Sequence, residues 1–431
     1  MDKTDRILIV GAGLFGLATA RQLASEGHQN ITVIDRHVPD GSSVDISRVI
    51  RFDYADDVYL GMALDAYQKW SISPKYKDIF FPSPFILSAN SIGSLGRSYI
   101  NKCTASLTER GLPWKVLEDA KAAKELYPSL TGTLAEPNFV GYTNTQAGWV
   151  DSSKAISQLR DDCLELGVSF ISGSAGTAVK FEDKDGQIWA VRTFAGTLIE
   201  GEHFILAAGA WASSIVPFYG SVLATAQVVG YMRLTDAELE RYRELPISIN
   251  FSTGWFNFPP HQESKLLKMA IHGWGYTRSP EPEEKATIKA DVSMPPLKAP
   301  RERANFVPKD GENRLKEGLR EILPELADRP FERTAVCWYT DTPSGDFIMD
   351  FHPDYKNLMV AGGGSGHAFK FLPVLGEYVT LRMKGLLPES LANKWRLRKD
   401  YQNGSNLFGG DGSRGGPERQ NLFSDEIKPR L

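Results

Sequence analysis

The sequence predicts an α/β chain in which a Rossmann-type dinucleotide-binding domain is joined to a second, α+β domain built on antiparallel sheet. Residues 7–35 read as strand, glycine turn, helix and second strand. Continuous apolar runs of the fully buried strand type recur far downstream, at His203–Gly209 and Leu358–Ala361. Between them, residues 225–278 alternate with period two, as antiparallel strands do.

Ile7–Val10 is the first strand, and Gly11, Gly13 and Gly16 complete G-x-G-x-x-G around Leu14 and Phe15. The first glycine permits the turn, the second lets backbone approach a pyrophosphate, and the third packs helix on strand. A helix over 14–26 carries Leu14, Leu17, Ala18 and Leu23 on one stripe and stops at Gly27. Its N-terminus offers N–H groups and a positive dipole end to phosphate. Ile31–Ile34 then leads to Asp35, 19 residues past Gly16, where a carboxylate takes a ribose hydroxyl. This unit implies a dinucleotide and leaves open which one.

Residues 41–56 read as a polar loop in which Arg48 and Arg51 stand three apart, equally suited to surface ion pairs or to a phosphate, flavin or carboxylate. Leu60, Ala63, Leu64 and Tyr67 mark a helix over 57–70. Residues 76–140 change to aromatic and Pro-rich strands followed by charged helices, an insertion into the second domain. The α/β grammar returns with a helix capped by Ser152 or Ser153, a strand at Val168–Ile171, and short strands near Val179–Phe181, Ile188–Thr193 and Thr197–Ile199. Within 225–278, Lys268, Ala270 and His272 share one strand face and Leu267, Met269 and Ile271 the other. That polar face is either a solvated outer face or the lining of a site, and alternation by itself favours the former. Residues 279–310 read as a loop excursion, and Leu315, Leu319, Ile322 and Leu323 as a helix stopped by Pro324. A glycine turn at 362–366 then joins a strand to a helix, a second place where backbone N–H groups can meet a cofactor edge. Residues 402–431 are Gly-, Ser- and charge-rich and are expected to be disordered.

At 431 residues two domains are the default. The balance of 49 basic and 53 acidic residues, with no basic block, argues against a nucleic-acid partner. Cys103, Cys163 and Cys337 form no metal or disulfide spacing, which fits a reducing, cytoplasmic setting. The uncharged stretch Phe204–Met232 is interrupted by Ser213, Ser214, Pro217 and Gly220, so no membrane span is expected. Pro429-Arg430-Leu431 faintly matches a peroxisomal ending.

The pieces ILIVGAGLFGLATA, SRVIR, FILAAGAWAS, QVVGYMRL, CWYTDTPSGDFIMDFHP and GGGSGHAFKFLP resemble the FAD-dependent amine oxidases. The group is that of monomeric sarcosine oxidase, pipecolate and saccharopine oxidases and the fungal fructosyl-amino-acid oxidases (amadoriases). The resemblance spans about residue 7 to about residue 385. It implies a glutathione-reductase-like FAD-binding domain over 1–75, 141–220 and 331–390, and a substrate domain over 76–140 and 221–330. It also implies roles. Cys337 matches the cysteine that carries FAD covalently, Lys268 the lysine that promotes reaction with oxygen, and His272 the histidine on the substrate side. Arg51 and Lys370 match the clamp on the substrate carboxylate, and Arg48 the arginine against the flavin ring. Gly366, His367, Phe369 and Lys370 would run along the flavin, Val179 and Gly209 along the adenine or pyrophosphate, and Asp35 and Arg36 along the adenosine ribose; Ser42, Ser43 and Ser47 are looser candidates. Phe256 stands where sarcosine oxidase has a tyrosine, which speaks against sarcosine as substrate.

The expected activity is oxidation of a secondary amine of an amino acid (N-alkyl, cyclic imino or fructosyl) to an imine, with O2 reduced to H2O2 by a monomer. Two alternatives share the fold: a dehydrogenase passing electrons to a quinone or electron-transfer flavoprotein, and a flavin-holding protein without turnover. An NAD-dependent imine reductase would share residues 7–35 but has no use for the Cys337 block.

Overall fold

The computed structural model describes residues 1–36, 41–90, 95–288, 292–297, 305–400 and 412–422. Strand β1 (Arg6–Val10), helix α1 (Leu14–Ser25) and strand β2 (Asn30–Asp35) form the expected unit, and Ile7–Val10 are all buried. A six-stranded sheet grows around it, in the order 348–351, 358–362, 203–206, β1, β2, 169–172. All neighbours run parallel except the antiparallel edge pair 348–351 and 358–362. Helix Leu372–Met383 packs across α1 so closely that a Cβ on Gly376 would lie 2.1 Å from the Ala18 carbonyl oxygen. The last long helix thus seals the first nucleotide-binding helix into the core.

The second sheet is ten-stranded and centres on Leu223–Arg233, which pairs antiparallel with both Leu266–Ile271 and Arg333–Asp341. It is mixed rather than wholly antiparallel: 247–250 runs parallel to 85–90, and 276–277 parallel to 420–421. These partners come from remote parts of the chain, so no hairpin imposes an antiparallel sense. Lys268 to Ile271 are buried on both faces of their strand. The solvated-face reading of Lys268 is therefore overturned, because strand alternation cannot report what covers a face.

Three segments depart from the sequence reading. Within the expected loop 41–56, Arg48–Ile50 is a strand, β3, paired antiparallel with Gly148–Val150. Within the expected loop 279–310, Pro282–Ile288 is a helix, with proline in its first turn and Glu283 and Glu284 at its positive end. Within the expected disordered stretch 402–431, residues 412–422 are ordered and Gln420–Asn421 adds a strand to the large sheet. Residues 401–411 and the 423–431 end, with Pro429-Arg430-Leu431, lie outside the described residues. No helix among the described residues is long and apolar enough to cross a membrane.

Candidate active site

One elongated cavity of about 1190 Å³ runs from the glycine loop of the six-stranded sheet to the face of the ten-stranded sheet. Its wall includes every candidate residue except Gly16 and Ser47. Gly16 packs inward, where a Cβ would sit 1.8 Å from the Gly11 carbonyl oxygen. A side chain there must displace backbone, not a flexible neighbour. Gly16→Ala is expected to cost about 1–3 kcal/mol of stability and to yield protein that loses flavin on purification. Unchanged melting temperature and flavin content would refute that role.

At this end, Asp35 Oδ2 accepts from the Ala12 N–H at 2.7 Å, and Ser43 Oγ accepts from the Leu14 N–H at 2.9 Å. Asp35 thus pins the loop in addition to facing the cavity. Arg36 lies 4.0 Å over the Trp211 ring and donates to the Leu297 carbonyl at 2.9 Å. Val179, Gly209 and Trp211 line the same end.

At the far end, Lys268 projects from its strand at 3% exposure. Its Nζ lies 2.9 Å from Asp45 Oδ2 and donates to the Ser47 carbonyl at 2.7 Å. Arg48 Nη1 donates to the same Asp45 oxygen at 2.9 Å, and Nη2 donates to the Ser42 carbonyl at 2.5 Å. Burial drives the Lys268 ammonium down to about 7, against the upward pull of Asp45 and with further downward push from Arg48. Cys337 comes from Arg333–Asp341 and is a buried free thiol whose Sγ is 3.9 Å from Arg48 Nη2.

Arg51 and Lys370 form a second cationic centre, both nearly buried. Arg51 donates to the Asp53 carbonyl and lies over the Tyr54 and Phe85 rings. Lys370 Nζ donates to Tyr54 Oη at 2.8 Å and to the His367 carbonyl at 2.7 Å. Burial first, then Arg51, holds the Lys370 ammonium well below its ordinary value. His367 Nδ1 is 2.9 Å from Tyr54 Oη and its Nε2 is 2.8 Å from the Gly345 carbonyl, so Nε2 carries the proton and Nδ1 accepts from tyrosine. Burial and the cations Lys370, Arg414 and Arg51 keep His367 neutral. Ile249, Phe251, Phe256 and Phe258 add an apolar wall to the same cavity, with the Phe258 ring 4.6 Å from Lys268 Nζ.

The sequence reading missed Asp45, Tyr54 and Arg414. Asp45 and Tyr54 carried a faint signal, since each stands three residues from an arginine already singled out. Arg414 carried none. From the C-terminal segment it enters at 4% exposure, pairs with Asp341 and donates to the Ser365 carbonyl at 3.0 Å. Its Nη1 is also 3.5 Å from His272 Nδ1. Burial first, then Arg414, keeps His272 neutral.

The sequence pattern of the family described as FAD dependent oxidoreductase matches residues 6–382. An L-saccharopine oxidase of Schizosaccharomyces pombe is 32% identical, covering 91% of this chain and 93% of its own. An amino acid oxidase of Aspergillus fumigatus is 27% identical, covering 88% and 92%. The crystal structure of the deglycating enzyme fructosamine oxidase (Amadoriase II) of Aspergillus fumigatus, in complex with FSA, superposes with a TM-score of 0.87 at 26% identity, over 99% of this chain and 97% of that one.

The cavity residues fit an FAD. Gly11, at φ +112°, leaves room that a Cβ would close against Ala207, and Gly366, at φ +74°, leaves room that a Cβ would close against the Tyr339 ring. Ser47, outside the cavity wall itself, has a carbonyl that accepts from Lys268 Nζ and Arg48 Nη1 and a buried Oγ with no protein hydrogen-bond partner.

Proposed function

The chain belongs to the FAD-dependent oxidoreductase family, and on that premise we propose that it oxidises the secondary amine of an amino acid to an imine, with dioxygen reduced to hydrogen peroxide. The observation that carries this is one cavity wall holding Lys268 and Cys337 from the ten-stranded sheet together with the Arg51–Lys370 pair, which comes from just past β3 and from a short helical turn at Phe369–Phe371. N-alkyl, cyclic imino and fructosyl amino acids are the substrate classes.

When bound, FAD supplies acceptance of a hydride equivalent from the amine carbon and its delivery to dioxygen. Arg51 and Lys370 receive the substrate carboxylate, each charge-assisted bond being stronger for their low-dielectric setting. That anchor orients the amine beside the neutral His272, while the apolar wall excludes water from the reacting carbon. Positioning of this kind, not a dedicated base, carries the substrate step. Lys268 holds positive charge where dioxygen is reduced, and Arg48 braces the same end.

Cys337 is the proposed attachment point for FAD. Acid precipitation of the purified protein is expected to leave the yellow colour in the pellet, and Cys337→Ser to release it to the supernatant. Colour in the supernatant of the unaltered protein refutes attachment.

A peroxide-coupled screen of the three substrate classes tests the activity. Amine-dependent flavin bleaching without peroxide would transfer the reading to a dehydrogenase using a quinone or electron-transfer flavoprotein. No bleaching by any class would leave a flavin-holding protein. The division into an FAD domain (1–75, 141–220, 331–390) and a substrate domain (76–140, 221–330), a monomeric state, and a cytoplasmic or peroxisomal location belong to the same proposal. Light scattering and imaging of an N-terminally tagged chain check the last two.

A further inference from the structure

We propose that Asp45 is a positioning residue that keeps Lys268 in its ammonium form at a buried place beside the cofactor cavity. The inference rests on Lys268 being the group that serves the oxygen step. The Asp45 side chain is 1% exposed and takes hydrogen bonds from three side chains on three different elements. Lys268 Nζ and Arg48 Nη1 each lie 2.9 Å from Oδ2, and Tyr231 Oη donates to Oδ1 at 2.7 Å. Its backbone is fixed as well. The Ser152 and Ser153 hydroxyls, at the start of a helix, donate to the Asp45 carbonyl at 2.7 and 2.8 Å.

The site therefore encloses two cations around one carboxylate. A buried ammonium without a counter-ion sheds its proton, because desolvation outweighs everything neutral neighbours provide. Several groups face Lys268. Asp45 and Arg48 come from the β3 region, Tyr231 from the adjoining strand and Cys337 from 333–341. The Phe258 ring lies 4.6 Å away, and His272 stands just past the end of the lysine's own strand. Arg48 pushes the ammonium down and Asp45 pulls it up. The carboxylate leaves net positive charge at this end because Arg48 shares it. Asp45 thus sets how much of the lysine population is charged near neutral pH, a task that neither the glycine loop nor the carboxylate clamp performs.

The test is the titration of Lys268 in the holoenzyme, read by NMR of lysine labelled with carbon-13 at Cε and assigned by loss of the signal in Lys268→Met. Asp45→Asn is expected to move the midpoint down by more than about one unit, the effect of removing an opposite charge in contact. Arg48→Gln is expected to move it up, the opposite sign, which a merely structural disturbance would not produce. In Asp45→Asn, flavin reoxidation at neutral pH is expected to slow and to recover on acidification, whereas Lys268→Met shows no such recovery. An unmoved midpoint in Asp45→Asn overturns the proposal. If that variant does not fold, a midpoint in Arg48→Gln that fails to rise overturns it. A midpoint that follows both substitutions while reoxidation stays constant leaves the coupling standing and removes the oxygen role of Lys268.

Discussion

Replacing Lys268 with methionine is expected to slow flavin reoxidation by roughly 10²–10³-fold, about 3–4 kcal/mol, while flavin reduction by substrate changes by less than about tenfold. The asymmetry follows from where the ammonium sits. It is 3% exposed and 2.9 Å from Asp45, at the cavity end that holds Cys337, and the proposed carboxylate clamp is built from other residues. A fixed cation in a water-excluded site acts on charge that develops during dioxygen reduction, and methionine keeps the volume while removing that charge. The pH dependence has a definite sign. In the proposed role only the protonated lysine acts, so reoxidation is expected to be fast below its pKa and to fall as pH rises through about 7. The methionine variant should show no such fall. Stopped-flow traces of the two half-reactions decide the matter, and an unchanged oxygen reaction in Lys268→Met ends the assignment.

Lys370→Met is expected to reduce kcat/KM by roughly 10²–10³-fold without loss of fold, on the scale of truncating a charged partner of a buried anion. The structural reason for expecting a folded variant is that Lys370 donates to Tyr54 and to a backbone carbonyl, both neutral. Its removal strands no carboxylate and relieves repulsion with Arg51. The clamp should also take up a proton. In the free enzyme Lys370 is held well below its ordinary value by burial and by Arg51. A bound carboxylate is expected to raise it again, so between the free and bound pKa values binding would consume a proton and affinity would fall as pH rises. Isothermal titration of a carboxylic-acid analogue lacking the amine, in buffers of different ionisation enthalpy, measures that uptake. Binding with no proton exchange at any pH, or a normal kcat/KM in Lys370→Met, would remove Lys370 from the clamp.

Local patterning went furthest where the chain folds on its neighbours. The strand, glycine turn, helix and strand of residues 7–35 were legible because each element is announced by its own period and punctuation, and β1, α1 and β2 fall on it within a residue or two. The same holds for the helix before Pro324, which ends at Ile322. The misread segments are those whose structure depends on a distant partner. Arg48–Ile50 is three residues long and becomes a strand only against Gly148–Val150. The helix Pro282–Ile288 has no buried residue, so no apolar stripe could disclose it.

The candidate site divides in the same way. The spacing of Lys268 and His272 on one strand face is a property of the sequence, and so is the glycine loop. Whether that face meets solvent or a cavity is not, since a polar face alternates with an apolar one in either case. Burial of the Lys268 face by the β3 region, and of the opposite face by helix Lys309–Ile322, settled it. Arg414 shows the limit most plainly. A glycine-rich, charged tail has no periodicity to read, yet its guanidinium is buried against Asp341, Ser365 and Gly273, with His272 close by. By itself, then, the sequence determined the nucleotide-binding unit, the order of strands and helices near it, and which side chains share a face, because those depend on contacts a few residues apart. Only the tertiary structure decided that Asp45 stands between Lys268 and Arg48, and that the C-terminal segment closes on His272. The Asp45–Lys268 and Arg414–His272 contacts join residues more than a hundred positions apart, and their geometry exists only once sheet pairing has brought the strands together.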